Sequence, residues 1–339
     1  MMANKARVWV LAKPFEGDIV HDNFKLVEEE LPPVKDGEIS IEALYLTVDP
    51  YQRVFPVEVG QTPVGQQVAR VVESRHSDYP VGKLLLAQVG CRDKTVLDPT
   101  EKNRYFIHPF TPPKTVYNLQ ELGDVSPSLY LGVFGMPGLT GYFGVLDKCQ
   151  PKPGEVVLVS TAAGAVGSVV GQIAKIKGAT VIGSAGSKEK CDWLKEVGFD
   201  HVFNYKETSV EDALKEFAPD GVDCYFDNVG GDYAITVLNN MRQNGRFCAC
   251  GQISQYSLKE KKPVQDILNV IMLRELVVTG HMVYPNLDRF DSARQEMAQW
   301  IKEGKLKYKE TIREDFLKLP DAMMEIFQGT AIGKLLVKA

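Results

Sequence analysis

The chain has 339 residues, 44% of them hydrophobic and 24% charged, with a formal net charge of -5 at pH 7. That length exceeds what a single core fills and predicts two domains. The composition is that of an ordinary globular protein and excludes a disordered, coiled-coil or fibrous chain. A net negative charge gives no general attraction for nucleic acid or anionic lipid, so any bound anion has to be held by a local site.

Residues 1–12 hold only a five-residue apolar run before Lys13 and Pro14, too short for a secretory signal core. Next come short strand candidates at 38–46 and 67–73, bounded by Pro32-Pro33, Asp49-Pro50, Gly65 and Gly82. They predict a mostly β domain over residues 1–126. The uncharged stretch 125–146 is broken by Pro127, Pro137 and several glycines, and reads as buried protein rather than a membrane span.

From residue 155 the pattern changes. Short β-branched runs at 155–160, 179–184, 201–205, 222–227, 245–250 and 276–283 alternate with helical segments. The helices are expected to begin near Val166, Lys188, Ser209, Asp232 and Pro263, with Gly178, Gly198 and Gly245 at helix ends or following turns. Six such runs predict an α/β fold with a doubly wound parallel sheet over residues 127–304. An amphipathic stretch at 292–303, the segment 305–312, a last helix at 320–328 and an apolar strand at 334–337 follow, and the tail 305–339 is expected to rejoin the first domain.

The six cysteines, Cys91, Cys149, Cys191, Cys224, Cys248 and Cys250, are scattered along the chain. They predict reduced thiols in a cytoplasmic protein. Cys248 and Cys250 alternate with apolar neighbours on one strand face, with neither a second CxxC pair nor a nearby His. Core packing is the expectation, and no metal site is predicted.

The strongest local signal is Glu155 to Ser168, EVVLVSTAAGAVGS: a buried strand, a turn of small residues, then a helix. Backbone N–H groups and a helix N-terminus approach a pyrophosphate closely only where side chains are small, which Gly164 and Gly167 provide. Ala162 stands at the first glycine of the G-x-G-x-x-G pattern. The bland alternative is a tight turn whose glycines serve packing alone.

At the end of the second strand, Gly183-Ser-Ala-Gly-Ser-Lys188, there is no Asp or Glu to hold a ribose 2′-hydroxyl. Ser187 reads as an N-cap, and Lys188 and Lys190 in the first turn oppose the helix dipole. A 2′-phosphate among them would relieve that opposition, so NADPH is expected over NADH. A lysine pair on a solvated helix is the competing reading.

Together with these features, Leu46-Thr-Val-Asp-Pro-Tyr51, Gly65-Gln-Gln-Val68, Gly135-Met-Pro-Gly-Leu-Thr140, Phe203-Asn-Tyr-Lys206, Asp227-Asn-Val-Gly-Gly231 and Cys250-Gly-Gln-Ile-Ser254 span nearly the whole chain. On these motifs the chain resembles the medium-chain dehydrogenase/reductase superfamily and, within it, the zinc-independent group of prostaglandin and alkenal double-bond reductases. Zinc-bearing relatives carry a Cys around residues 47–49 and Gly-His-Glu where this chain has Gly65-Gln66-Gln67.

The resemblance implies a GroES-like substrate domain split between the two ends of the chain, a Rossmann domain between them, and an active site in the cleft. It also implies a homodimer formed through the sixth strand. Carried over by motif, Gly164, Ala165, Val166 and Gly167 would hold the pyrophosphate of NADPH or NADP+. Ser187, Lys190 and Tyr205 would take the 2′-phosphate and adenosine end, and Asn228 the nicotinamide side. Cys250, Gly251, Ile253, Ser254, Tyr256, His281, Met282 and Val283 would line the remaining path. Where relatives often show Asn-Leu-Gly-Lys, this chain has Ala331-Ile-Gly-Lys334, which removes a side-chain contact at Ala331.

The implied reaction is reduction of the double bond of an enone or enal, with 2-alkenals and 15-oxo-prostaglandins as substrates and oxidation of the leukotriene B4 12-hydroxyl as a reverse activity. Hydride delivery leaves an enolate whose oxygen needs a hydrogen-bond donor. A tyrosine hydroxyl donates while neutral at pH 7. Tyr256 is the first candidate and Tyr51 the second, with Arg53 placed to attract a substrate carboxylate. His281, inside an apolar run, reads as a core or interface histidine. Two other readings stay open: quinone reduction, and a nucleotide-binding protein without turnover.

Overall fold

The structure, a computed structural model, describes residues 5–55, 57–104, 113–260 and 266–339. The chain divides into two compact units, Met1–Gly132 with Glu310–Ala339, and Val133–Lys309.

In the first unit, alternating apolar residues make strands with one buried face. β1 (Lys5–Leu11) and β2 (Phe24–Glu30) form an antiparallel ribbon. β3 (Ile39–Thr47), β4 (Gln67–Ser74), β5 (Leu84–Ala87), β6 (Lys94–Leu97) and β7 (Val116–Asn118) belong to a larger sheet. Between β3 and β4 lies the short helix α1 (Tyr51–Val54).

Along the second unit the chain alternates helix and strand. Its helices are α2 (Met136–Phe143), α3 (Gly167–Ile176), α4 (Lys188–Glu196), α5 (Val210–Phe217), α6 (Gly231–Asn239), α7 (Ile253–Tyr256), α8 (Leu268–Leu273) and α9 (Phe290–Lys302). Its strands are β8 (Val156–Val159), β9 (Thr180–Ala185), β10 (His201–Asn204), β11 (Val222–Asp227), β12 (Met241–Ala249) and β13 (Val277–Gly280). All neighbours in this sheet are parallel, in the order β10-β9-β8-β11-β12-β13. That is the doubly wound arrangement, whose ligands lie beyond the carboxyl ends of the strands. On one face Leu158, Tyr225 and Phe247 pack with Leu214 of α5 and Val237 of α6.

The tail returns to the first unit through β14 (Glu310–Glu314), helix α10 (Leu319–Gln328) and β15 (Lys334–Lys338). β15 inserts between β14 and β3, completing the order β14-β15-β3-β4-β5-β7 with β6 on β3.

Several expectations need correction. Gly245 lies inside β12 rather than at a helix end; there a Cβ would meet Met241 Cε at 2.9 Å. The sixth strand stops at Gly280, so His281, Met282 and Val283 follow it. Cys250 likewise sits one residue past β12. The helix start expected near Pro263 lies outside the described residues.

The stretch around residues 125–146 folds as buried protein, with α2 running into a π-helical turn, Gly144–Cys149. No helix among the described residues is long and apolar enough to cross a membrane. All six cysteines are free thiols, and only Cys250 is not fully buried.

Candidate active site

The small-residue turn after β8 places backbone where a side chain would otherwise stand. Thr161 takes a left-handed φ of 51°, and its carbonyl accepts from the Gly164 N–H at 3.0 Å. α3 starts against that carbonyl: a Cβ on Gly167 would lie 2.5 Å from Thr161 O and 2.8 Å from Ala162 Cα. Only glycine lets the helix begin so close to the strand. The first N–H groups of a helix lack intrahelical partners and sit at the positive end of its dipole. Ala165, Val166 and Gly167 therefore offer donors to an anion, the arrangement a pyrophosphate fits.

Beside this turn, Ser187 caps α4, its hydroxyl accepting from the Lys190 N–H at 3.4 Å. Tyr205 follows β10, and a Cβ on Gly186 would fall 2.8 Å from its hydroxyl. Ser187, Lys190 and Tyr205 thus gather at the ends of β9 and β10. Lys188 does not join them as an equal: its ammonium is exposed and pairs with Asp192 one turn on, at 2.5 Å. A surface pair of this kind contributes little, and it turns the Lys188 ammonium toward Asp192.

The loop after β11 is the hub of the site. Asp227, 3% exposed, accepts at Oδ1 from Tyr225 Oη (2.6 Å), the Val229 N–H (2.9 Å), the Gly230 N–H (3.0 Å) and Ser160 Oγ (3.4 Å). Burial pushes its carboxyl upward, and these donors oppose the push. Asn228 ties back to the end of β8, its N–H to Ser160 Oγ at 2.9 Å and its amide to Ser160 O at 2.8 Å. In the other direction the Cys250 and Gly251 N–H groups donate to Asp227 O at 2.9 and 3.0 Å, Ile253 N–H to Asn228 O and Ser254 N–H to Val229 O, both at 3.2 Å. One loop thereby ties the end of β8 to the segment carrying Tyr256.

The Tyr256 hydroxyl accepts from the Gln252 N–H at 3.0 Å, which leaves its own proton for another acceptor. Burial raises its pKa, keeping the phenol protonated at neutral pH. Cys250, His281 and Met282 share a pocket of about 460 Å³ at the ends of β12 and β13. His281 is a core residue, with Nε2 2.9 Å from Thr140 O and its pKa lowered by burial.

Within the first unit, Tyr51 opens α1 and meets Phe55 edge-on, with ring centroids 6.0 Å apart. The Arg53 guanidinium is already committed. It donates to Phe15 O and Gly17 O at 3.3 and 2.9 Å and lies over the Phe15 ring, contacts that compete with the expected role toward a substrate carboxylate. Ala331 packs against the apolar cluster of Phe316, Leu319 and Leu335.

Two features escaped the sequence reading. One is the Asp227 network, for which a lone acid closing an apolar strand was the only signal. The other is a buried ion pair, Lys334 Nζ to Asp49 Oδ1 at 2.9 Å, in which Lys334 also donates to Val48 O at 2.7 Å and Thr47 donates to Asp49. It fixes the base of the segment that carries Tyr51.

Residues 7–104 match the family model described as the N-terminal domain of oxidoreductase, and residues 165–303 the one described as zinc-binding dehydrogenase. Among the described residues no group of three or more His, Cys, Asp or Glu side chains is arranged to hold a metal ion. The chain is 44% identical to prostaglandin reductase 1 of Bos taurus, over 98% of this chain and 99% of that protein. It is 39% identical to (+)-pulegone reductase of Mentha piperita, over 91% and 90%. The crystal structure of CurA from Vibrio vulnificus in complex with NADPH is similar with a TM-score of 0.89 and 32% identity, covering 98% of this chain and 99% of that one.

Proposed function

The chain belongs to the zinc-independent medium-chain dehydrogenase/reductase family, and from that premise we propose that it reduces the carbon-carbon double bond of α,β-unsaturated aldehydes and ketones with NADPH. The observation that carries this reading is the 44% identity to prostaglandin reductase 1 along essentially the entire chain. The turn Thr161–Gly167, shaped for a pyrophosphate, supports it. Medium-chain 2-alkenals and 15-oxo-prostaglandins are the substrates of choice.

When bound, NADPH supplies a hydride to the β-carbon of the substrate. The chain's own residues do the rest. Ala165, Val166 and Gly167 hold the pyrophosphate through backbone N–H groups, Lys190 and Ser187 receive the 2′-phosphate, and Asn228 orients the nicotinamide side. Tyr256 donates a hydrogen bond to the substrate oxygen as negative charge gathers there.

The test follows NADPH absorbance with a medium-chain 2-alkenal, a 15-oxo prostanoid and a quinone, and repeats each with NADH. Turnover of the first two with NADPH is expected. Turnover of the quinone alone would replace this reading by quinone reduction, and turnover of none by a silent nucleotide-binding protein. In the same assay Lys190→Ala is expected to raise the KM for NADPH about tenfold, the worth of one charge-assisted hydrogen bond, and to leave NADH unchanged.

Tyr256→Phe is expected to lower kcat by about 10²- to 10³-fold, the usual range for loss of one oxyanion donor, with a smaller effect on NADPH affinity. If Tyr51→Phe takes that loss and Tyr256→Phe does not, the donor is Tyr51.

A homodimer in the cytoplasm completes the proposal. β13 is the edge of its sheet, and Val277 and Val278 on it are exposed together with Leu268, Met272 and Leu273. An apolar edge left open invites strand pairing, and a second copy would cover it. Sedimentation at about twice 37.7 kDa is the check.

A further inference from the structure

Asp227 is a buried carboxylate whose four hydrogen-bond partners are all neutral: two backbone N–H groups, a phenol and a serine hydroxyl. No ion pair among the described residues reaches it. Its companion buried acid, Asp49, is by contrast matched by Lys334. The loop that carries Asp227 is built to keep it in place. Gly230 and Gly231 have left-handed φ values of 69° and 59°, which side-chain-bearing residues adopt only with strain, and that turn aims the Gly230 N–H back at the carboxylate.

Neutral donors stabilise an anion locally without cancelling its charge, so the field of Asp227 extends into the surrounding site. Its direction is visible in its neighbours. Burial comes first in raising Tyr256, Cys250 and Tyr233, and the Asp227 charge adds to the rise in each. Tyr256 and Cys250 belong to the segment laced onto the Asp227 loop, and Asn228 is the next residue in the chain.

We propose that Asp227 sets the redox preference of the cofactor site: a fixed, unneutralised negative charge in the loop that carries Asn228, which favours the oxidised cofactor, whose ring is cationic, over the neutral reduced form. Hydride transfer moves a hydrogen and its electron pair from NADPH to the substrate β-carbon and leaves a positive charge on the ring. A carboxylate already in position stabilises that charge without rearrangement and so promotes hydride release. This inference rests on the NADPH reading above.

The test is the ratio of two binding constants rather than turnover. Wild-type protein and Asp227→Asn are titrated with NADP+ by calorimetry and with NADPH by nucleotide fluorescence. A charge pair about 12 Å apart at an effective dielectric of about 20 is worth a factor of about ten in an equilibrium constant. Asp227→Asn is therefore expected to raise the Kd for NADP+ about tenfold relative to that for NADPH. Equal weakening of both overturns the proposal, since a residue that merely holds its loop would act on both alike. An unchanged ratio overturns it too.

Should Asp227→Asn not fold, Tyr225→Phe and Ser160→Ala serve instead. Each removes one neutral donor that holds the carboxyl down, so the preference for NADP+ is expected to weaken as pH falls and to return as it rises; a ratio independent of pH sinks the idea. Wild-type protein that binds neither nucleotide would remove the NADPH reading itself, whereas binding with an unmoved ratio removes only the role of Asp227.

Discussion

Gly167→Ala is expected to weaken NADPH binding by about ten- to a hundredfold while the protein stays folded. The added methyl would stand 2.5 Å from Thr161 O and 2.8 Å from Ala162 Cα, and both neighbours are backbone. No side chain can swing aside, so the start of α3 has to move away from β8. Overpacking of this sort costs about 1–3 kcal/mol, which is that range of affinity if the displacement falls on the N–H groups holding the pyrophosphate. Fluorescence titration with NADPH reads the effect. Wild-type affinity in the variant would mean that the turn does not carry the phosphate.

The second large effect lies in the other unit. Lys334→Met should destabilise the protein by about 3–5 kcal/mol, because it strands the Asp49 carboxylate in a buried place without its counter-charge. The two side chains are 3% and 8% exposed, so solvent cannot replace the lost partner. Thermal unfolding should fall by roughly 6–20 °C for a unit of this size. Lys334→Met combined with Asp49→Leu should recover most of the loss, since removing both charges together leaves none unpaired. No recovery in the double variant would mean that Lys334 stabilises through packing rather than charge.

How much of this was legible in the sequence follows from what periodicity can carry. Parallel strands buried on both faces are written as short apolar runs, so β8 to β13 could be placed from residues 155–283 alone. The glycine turn was legible for a similar reason: a backbone that must meet a phosphate leaves a local run of small residues. Strand ends were harder. Leu276 to Val283 holds no proline, acid, Lys or Arg, yet pairing with β12 stops at Gly280, and nothing local marks the last paired residue.

Pairs distant in the chain were invisible. Lys334 and Asp49 are separated by 285 residues, and neither carries a sign that the other completes it. Arg53 misled in the opposite way. A cation near a proposed substrate site looked available, but two of its nitrogens donate to the carbonyls of Phe15 and Gly17, which sequence spacing does not reveal. Asp227 stands within a motif, yet its connection to Ser160 exists only once β8 and β11 lie side by side.

The burial of the thiols has a consequence for life among electrophiles. Enals alkylate cysteine by conjugate addition, and the attacking species is the thiolate at an accessible sulfur. Five of the six cysteines are buried. Burial pushes Cys91 and Cys224 up to about 12 and raises Cys191 and Cys250, while Cys149, hydrogen-bonded to Cys248, is held well above its ordinary value. Thiols placed in this way meet the enals proposed above as protonated groups rather than as open thiolates.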